Sequence, residues 1–228
     1  MKRNLMKILG TMALLVGVVV PSFASRELPD TLRARDVFAN LPVKTLDILS
    51  HNTRLDMLDY YDLDSIYQAR NGMEGVSELV KVSPDYLKVS LTPVSTMEIG
   101  MLKPKKGNEP AAVVLYTVGA DSQAEDTEVS FFDSDLKELP REKYLEYPDV
   151  LDFFNTNDKN IKELIEDLVP FPTMRLTFLN GAEKLQGVLT VGEFMGEENF
   201  DKIKSYLKPD LTFVWDGKKY KLRQEKDH

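Results

Sequence analysis

Hydrophobic positions change their spacing several times along this chain, and each change predicts an element. Residues 8–20 are a near-continuous apolar run, interrupted by Gly and Thr alone. Between 43 and 58 the apolar positions recur every three or four residues. Val43, Leu46 and Leu49 follow Pro42, as in a first helical turn, and Leu55, Met57 and Leu58 continue a second helix from a cap at Asn52 or Thr53. His51 falls at the break between them. After Asn71-Gly72 and Gly75 the period shortens to two. Residues 78–82, 86–92, 96–102, 112–118 and 128–132 read as strands, the first three joined by hairpin-length links at Ser83-Pro84-Asp85 and Pro93-Val94-Ser95. A polar loop at 103–110 and an acidic one before 126 separate the later strands. Helical spacing returns at Ile161, Leu164, Ile165 and Leu168, capped by Asn157 or Asp158 and stopped by Pro170 and Pro172. Strands follow at 174–179 and 188–193. Phe200, Ile203 and Leu207 mark a last helix, and 211–215 pairs with 220–223 across Asp216-Gly217, a turn that Lys218 and Lys219 can lengthen.

The expected class is α+β: a mainly antiparallel β-sheet of meander and hairpins, short N-terminal helices, and two amphipathic helices in the C-terminal half. Residues 25–35 read as polar and loosely held. No linker divides 25–228, which is expected to be one domain, and no aligned repeat is present.

The start of the chain carries an address. Lys2, Arg3 and Lys7 precede the apolar run, and Pro21-Ser22-Phe23-Ala24 closes it with small residues at Ser22 and Ala24. This is the layout of a secretory signal peptide over 1–24, cleaved after Ala24. The run is shorter than the roughly 20 residues of a bilayer-spanning helix, so no membrane anchor is expected after cleavage. The chain holds no cysteine. A disulfide framework, thiol catalysis and Cys-ligated zinc are excluded, and Ser25 stands where a lipoprotein would carry its lipidated Cys. The expected location is the periplasm.

Charge narrows the partners. The chain has 29 Lys/Arg against 37 Asp/Glu, net −8; the leader holds three of the bases and no acid, so the remainder is at −11. Nucleic acid demands clustered cations and is not an expected partner. No cofactor or metal site is assigned.

Candidate chemistry is sparse. His228 is terminal, and His51 has Ser50 beside it in sequence, a poor arrangement for a nucleophile and its base. Phe131-Phe132-Asp133-Ser134-Asp135 copies the opening of haloacid-dehalogenase-type phosphatases, but a β-turn begun by Asp explains it better in an antiparallel context. Tyr60, Tyr61, Tyr144, Tyr147 and Trp215 fall near predicted loops, where rings can stack on sugars or peptides. The densest segment is 54–64, Arg-Leu-Asp-Met-Leu-Asp-Tyr-Tyr-Asp-Leu-Asp. Arg54, Asp56, Asp59, Tyr60 and Tyr61 are the candidate binding residues there. Asp56 and Asp59 are three apart on a helix, and Asp62 and Asp64 add oxygens, yet the glycine and terminal Glu of a calcium loop are missing. No catalytic residue is assigned.

The residues also resemble a family. Leu41-Pro42 to Leu49, Arg54-Leu-Asp-Met-Leu-Asp-Tyr-Tyr-Asp, Asn71-Gly72, Leu91-Thr-Pro-Val-Ser-Thr and Tyr116-Thr-Val-Gly are similar to a domain-of-unknown-function family of exported Bacteroidales proteins. The resemblance covers nearly all of the chain after the leader and implies a periplasmic or outer-envelope setting. It implies no catalytic residue, because that family has no assigned activity. The leading expectation is therefore a non-catalytic binding protein for a glycan, peptide or envelope protein. The alternative is a carboxylate-dependent hydrolase of glycans or cell-wall material, which needs two carboxyl groups about 5–10 Å apart across a cleft.

Overall fold

The computed structural model describes residues 31–104, 109–119 and 124–223, with Glu193 and Phe194 as backbone alone. The expected leader and His228 lie outside the described residues. Two helices come first, α1 (Ala34–Asn40) and α2 (His51–Asp62). Seven strands follow: β1 (Ala69–Arg70), β2 (Val76–Val82), β3 (Tyr86–Thr92), β4 (Ser95–Met101), β5 (Ala112–Val118), β6 (Asp126–Phe132) and β7 (Glu138–Leu139). They form one antiparallel meander in sequence order. After α3 (Lys159–Leu168), a second antiparallel sheet is built from β8 (Met174–Phe178), β9 (Lys184–Leu189), β10 (Leu211–Trp215) and β11 (Tyr220–Leu222) in the order β11-β10-β9-β8. Between β9 and β10 lie α4 (Gly192–Met195) and α5 (Glu197–Ile203). The class is α+β, as the periodicities predict.

Two elements sit elsewhere than expected. Residues 43–49 form turns, and the first helix occupies Ala34–Asn40, starting at the end of the stretch that reads as polar. Ala34, Val37 and Phe38 make a stripe at helical spacing that is buried, but charged Arg35 and Asp36 between them hide it in a seven-residue window. The strand expected at 188–193 lies at Lys184–Leu189. Gly187 conceals its alternation, and the fold needs a glycine there: a Cβ would stand 2.9 Å from Met174 Sδ and 3.1 Å from Phe213 Cε2.

Alternation along β5 and β6 creates two cores. Ala112, Val114 and Phe132 face α1 and α2 and pack with Leu87, Val89, Ile99, Val37, Phe38 and Met57. Val113, Leu115, Val129 and Phe131 face the other way and pack with Phe153, Ile165, Leu176, Leu185 and Phe213. Both strands are thus covered on both faces, which is why β5 reads as one apolar run. Toward β3 and β4 the second face becomes polar. Glu98, nearly buried, accepts from Tyr86 Oη at 2.9 Å and pairs with Lys88 Nζ at 3.1 Å. Burial, then the Glu98 charge, pushes the Tyr86 phenol pKa well up.

The small sheet docks by its β8 edge. The backbone N–H of Met174 donates to Asp126 Oδ1 at 3.1 Å and that of Leu176 to Thr127 Oγ1 at 3.0 Å, with Thr117 Oγ1 2.9 Å from Thr127 Oγ1. Arg175 Nη1 pairs with Glu125 at 2.7 Å beside them. Side chains of β6 thus satisfy an edge that otherwise carries unpaired donors. Thr127→Val keeps the shape and orphans the buried Leu176 N–H, at a cost of about 1–2 kcal/mol. Urea unfolding reads this directly; a Thr127→Ser variant with the same deficit as Val would contradict it.

Candidate functional site

The segment flagged by its acids and tyrosines is α2 and the loop that follows. Ser50 caps the helix, its Oγ accepting from the Thr53 N–H at 3.1 Å. Arg54, Met57 and Leu58 form its inner stripe. Arg54 is 2 % exposed, and its Nη1 donates to the carbonyl oxygens of Phe38 and Leu41, both at 2.9 Å. His51 Nδ1 donates to the Ala39 carbonyl at 2.8 Å. Those three carbonyls lie at the C-terminal end of α1, where helical groups lack partners and the dipole is negative. Arg54 is therefore a buried clamp between two helices. Burial lowers its pKa from the ordinary guanidinium value.

The other four candidates divide. Asp56 and Asp59 are exposed and make no side-chain hydrogen bond or ion pair among the described residues. Tyr60 is outward and stacks on Tyr67, ring centroids 4.5 Å apart and planes at 10°. Tyr61 is half-buried and its Oη accepts from the Val82 N–H at 3.2 Å, fastening α2 to the far end of β2. Asp62 forms a two-bond pair with Arg35, at 2.7 and 3.2 Å. No group of three or more His, Asp or Glu side chains placed to hold a metal ion occurs among the described residues.

The chain leaves α2 through Asp64, in the left-handed region at φ 56°, and the Ser65 N–H bonds back to the Tyr60 carbonyl. It then runs out to β1, which covers Val76 and Ser77 of β2 and no more. Beyond Ser77 the outer edge of β2 has no strand beside it among the described residues, and its register with β3 slips between Leu79 and Lys81, a bulge at Val80. The loop and this edge enclose a crevice of about 320 Å³, lined among others by Tyr61, Asp64, Ile66, Tyr67, Glu78 and Val80. Large apolar side chains of its lining stand open, Ile66 81 % exposed and Val80 54 %, and Leu63, next to Asp64 in sequence, is 73 % exposed. Leu63, Ile66 and Tyr67 stand outside the candidates expected from the sequence. Their signal is apolar residues in a polar loop, outside any period.

A second cleft, of about 310 Å³, lies where the 43–48 turns cross the sheet over Met97 and Val114. Asp47, Glu128 and Glu138 rim it, and Glu138 pairs with Lys44. The remaining motifs are absorbed by the fold. Asp133 Oδ1 accepts from the N–H groups of Asp135 and Lys137 at 3.0 and 2.9 Å, a turn built by its carboxylate at the end of an antiparallel strand. Tyr144 and Trp215 pack in a ring cluster with Phe131 and Tyr220, and Tyr147 Oη donates to the Thr127 carbonyl at 3.2 Å.

These features define an α+β protein with helices on one face of an antiparallel meander and a small sheet on the other. The family model for a protein of unknown function, DUF3256, matches residues 30–220, and the chain belongs to that family. A solved domain of an uncharacterized protein from Porphyromonas gingivalis W83 shares the fold, with a TM-score of 0.71 over 84 % of this chain and 98 % of that one, at 16 % identity. No curated protein matches the chain.

Proposed function

We propose that this protein is exported to the periplasm and binds, without catalysis, an envelope protein or peptide in extended form at the crevice between α2 and β2. The leader-like segment 1–24 supports the location. The observation that carries the binding reading is the open edge of β2 flanked by exposed Leu63, Ile66 and Val80. An apolar cluster of this kind marks an interaction surface, and a free strand edge offers main-chain hydrogen bonds to an extended partner. Tyr60 and Tyr67 turn one face of each ring to the other, which favours a peptide over a sugar as the ligand.

Selection of random displayed peptides on the purified protein tests this. Selected peptides are expected to lose at least about tenfold in affinity on an Ile66→Asp variant, whose exposed position leaves folding intact. Peptides that bind the variant as well as the parent would count against the crevice.

A further inference from the structure

The crevice has a polarity that an apolar anchor does not use. Asp64 and Glu78 line it, and among the described residues no Lys or Arg does. Neither carboxylate makes a side-chain hydrogen bond or ion pair among the described residues. α2 ends at its mouth with no basic residue in the last turn, so the partial negative charge of its terminal carbonyls adds to that of the acids. Of Asp59, Asp62 and Asp64, Asp62 alone has a cation beside it among the described residues, Arg35 at 2.7 Å. The walls are aromatic and aliphatic: Tyr61 and Tyr67 on the helix side, Ile66 and Val80 at the rim. Negative charge beside apolar walls complements a long side chain with an apolar stem and a cationic head.

We infer that the crevice receives the Lys or Arg side chain of an extended peptide lying along the open edge of β2. The inference rests on the binding reading above and names the chemistry of its ligand. The stem passes between Ile66 and Val80, and the head meets Asp64 and Glu78 in charge-assisted hydrogen bonds. The neighbouring tyrosine rings add cation–π attraction. A strand places alternate side chains on one face, so one basic residue enters while its neighbours two positions away meet the exposed apolar rim. An acidic peptide is repelled by the same arrangement, and that repulsion contributes specificity.

The test uses peptides selected from a random library on the unmodified protein, with the basic residue replaced by citrulline, which keeps the shape of Arg and removes its charge. A loss of about tenfold or more is expected. A double variant, Asp64→Asn with Glu78→Gln, is expected to bind the Arg and citrulline peptides alike, with thermal unfolding checked against the parent. If that variant does not fold, the citrulline comparison on the unmodified protein decides alone. Equal affinity for both peptides, with binding still lost on Ile66→Asp, overturns the cationic occupant and leaves the binding reading intact. Selection that returns no peptide dependent on Ile66 overturns both.

Discussion

Replacing Arg54 by Met is expected to lower the unfolding free energy by about 3 kcal/mol, an estimate from the loss of two charge-assisted hydrogen bonds in a buried place. Met fills a similar volume and stays apolar, so packing changes little. What disappears is the pair of 2.9 Å bonds from Nη1 to the carbonyls of Phe38 and Leu41. Both acceptors close a helix of seven residues, too short to hold itself together, whose stability comes from docking. Arg54 Nε is buried without a partner among the described residues, which offsets part of the gain and keeps the estimate below the sum of two strong bonds. The midpoint of urea unfolding measures the effect. A change below about 0.5 kcal/mol would show that α1 docks through its apolar stripe alone, since surface substitutions fall in that range. Lys at this position has a shorter stem with which to bring its ammonium to the place of Nη1, and is expected to recover part of the loss.

The second large effect is at Gly100 in β4, where the tip of the small sheet crosses the meander. A Cβ there would stand 2.7 Å from Phe178 Cζ and 2.8 Å from Ala182 Cβ. Both distances are below any real carbon contact, so Gly100→Ala must push the β8–β9 tip away. The cost is about 2 kcal/mol, in the range of other overpacked cores. Phe178 also meets Tyr86 edge-on, ring centroids 6.2 Å apart, so displacing it exposes the Tyr86–Glu98–Lys88 network. The diagnostic is a double-mutant cycle. Phe178→Leu destabilises the parent but is expected to be nearly neutral, or restoring, in the Gly100→Ala background. Additive losses would mean that the two residues do not share one space.

Particular elements show why some of this was legible in advance. α3 matched because it carries its own evidence: apolar Ile161, Leu164, Ile165 and Leu168 in one stripe and an Asp158 cap. β3 and β5 matched because alternation and β-branching are local. α2 was recognised, but its cap lies two residues earlier than Asn52, at Ser50. Arg54 stands among the candidate binding residues for a physical reason. Charge argues for water, whereas its spacing to Met57 and Leu58 already put it on the buried stripe. Only the presence of α1's end, sixteen residues away from Arg54 at Phe38, makes that burial favourable. The crevice was not legible either, because Asp64 and Glu78 become neighbours through the strand register and the short reach of β1.

The sequence by itself determined the periodicities, and with them the α+β class, most strands, α3 and the absence of disulfides, because each depends on residues a few positions apart. Tertiary structure decided which face of α2 is buried, where the first helix lies, why Gly100 and Gly187 are glycines, and which edge of the sheet stays open. Those features arise from contacts between segments distant in sequence, where sterics and the need to satisfy buried carbonyls override local preference.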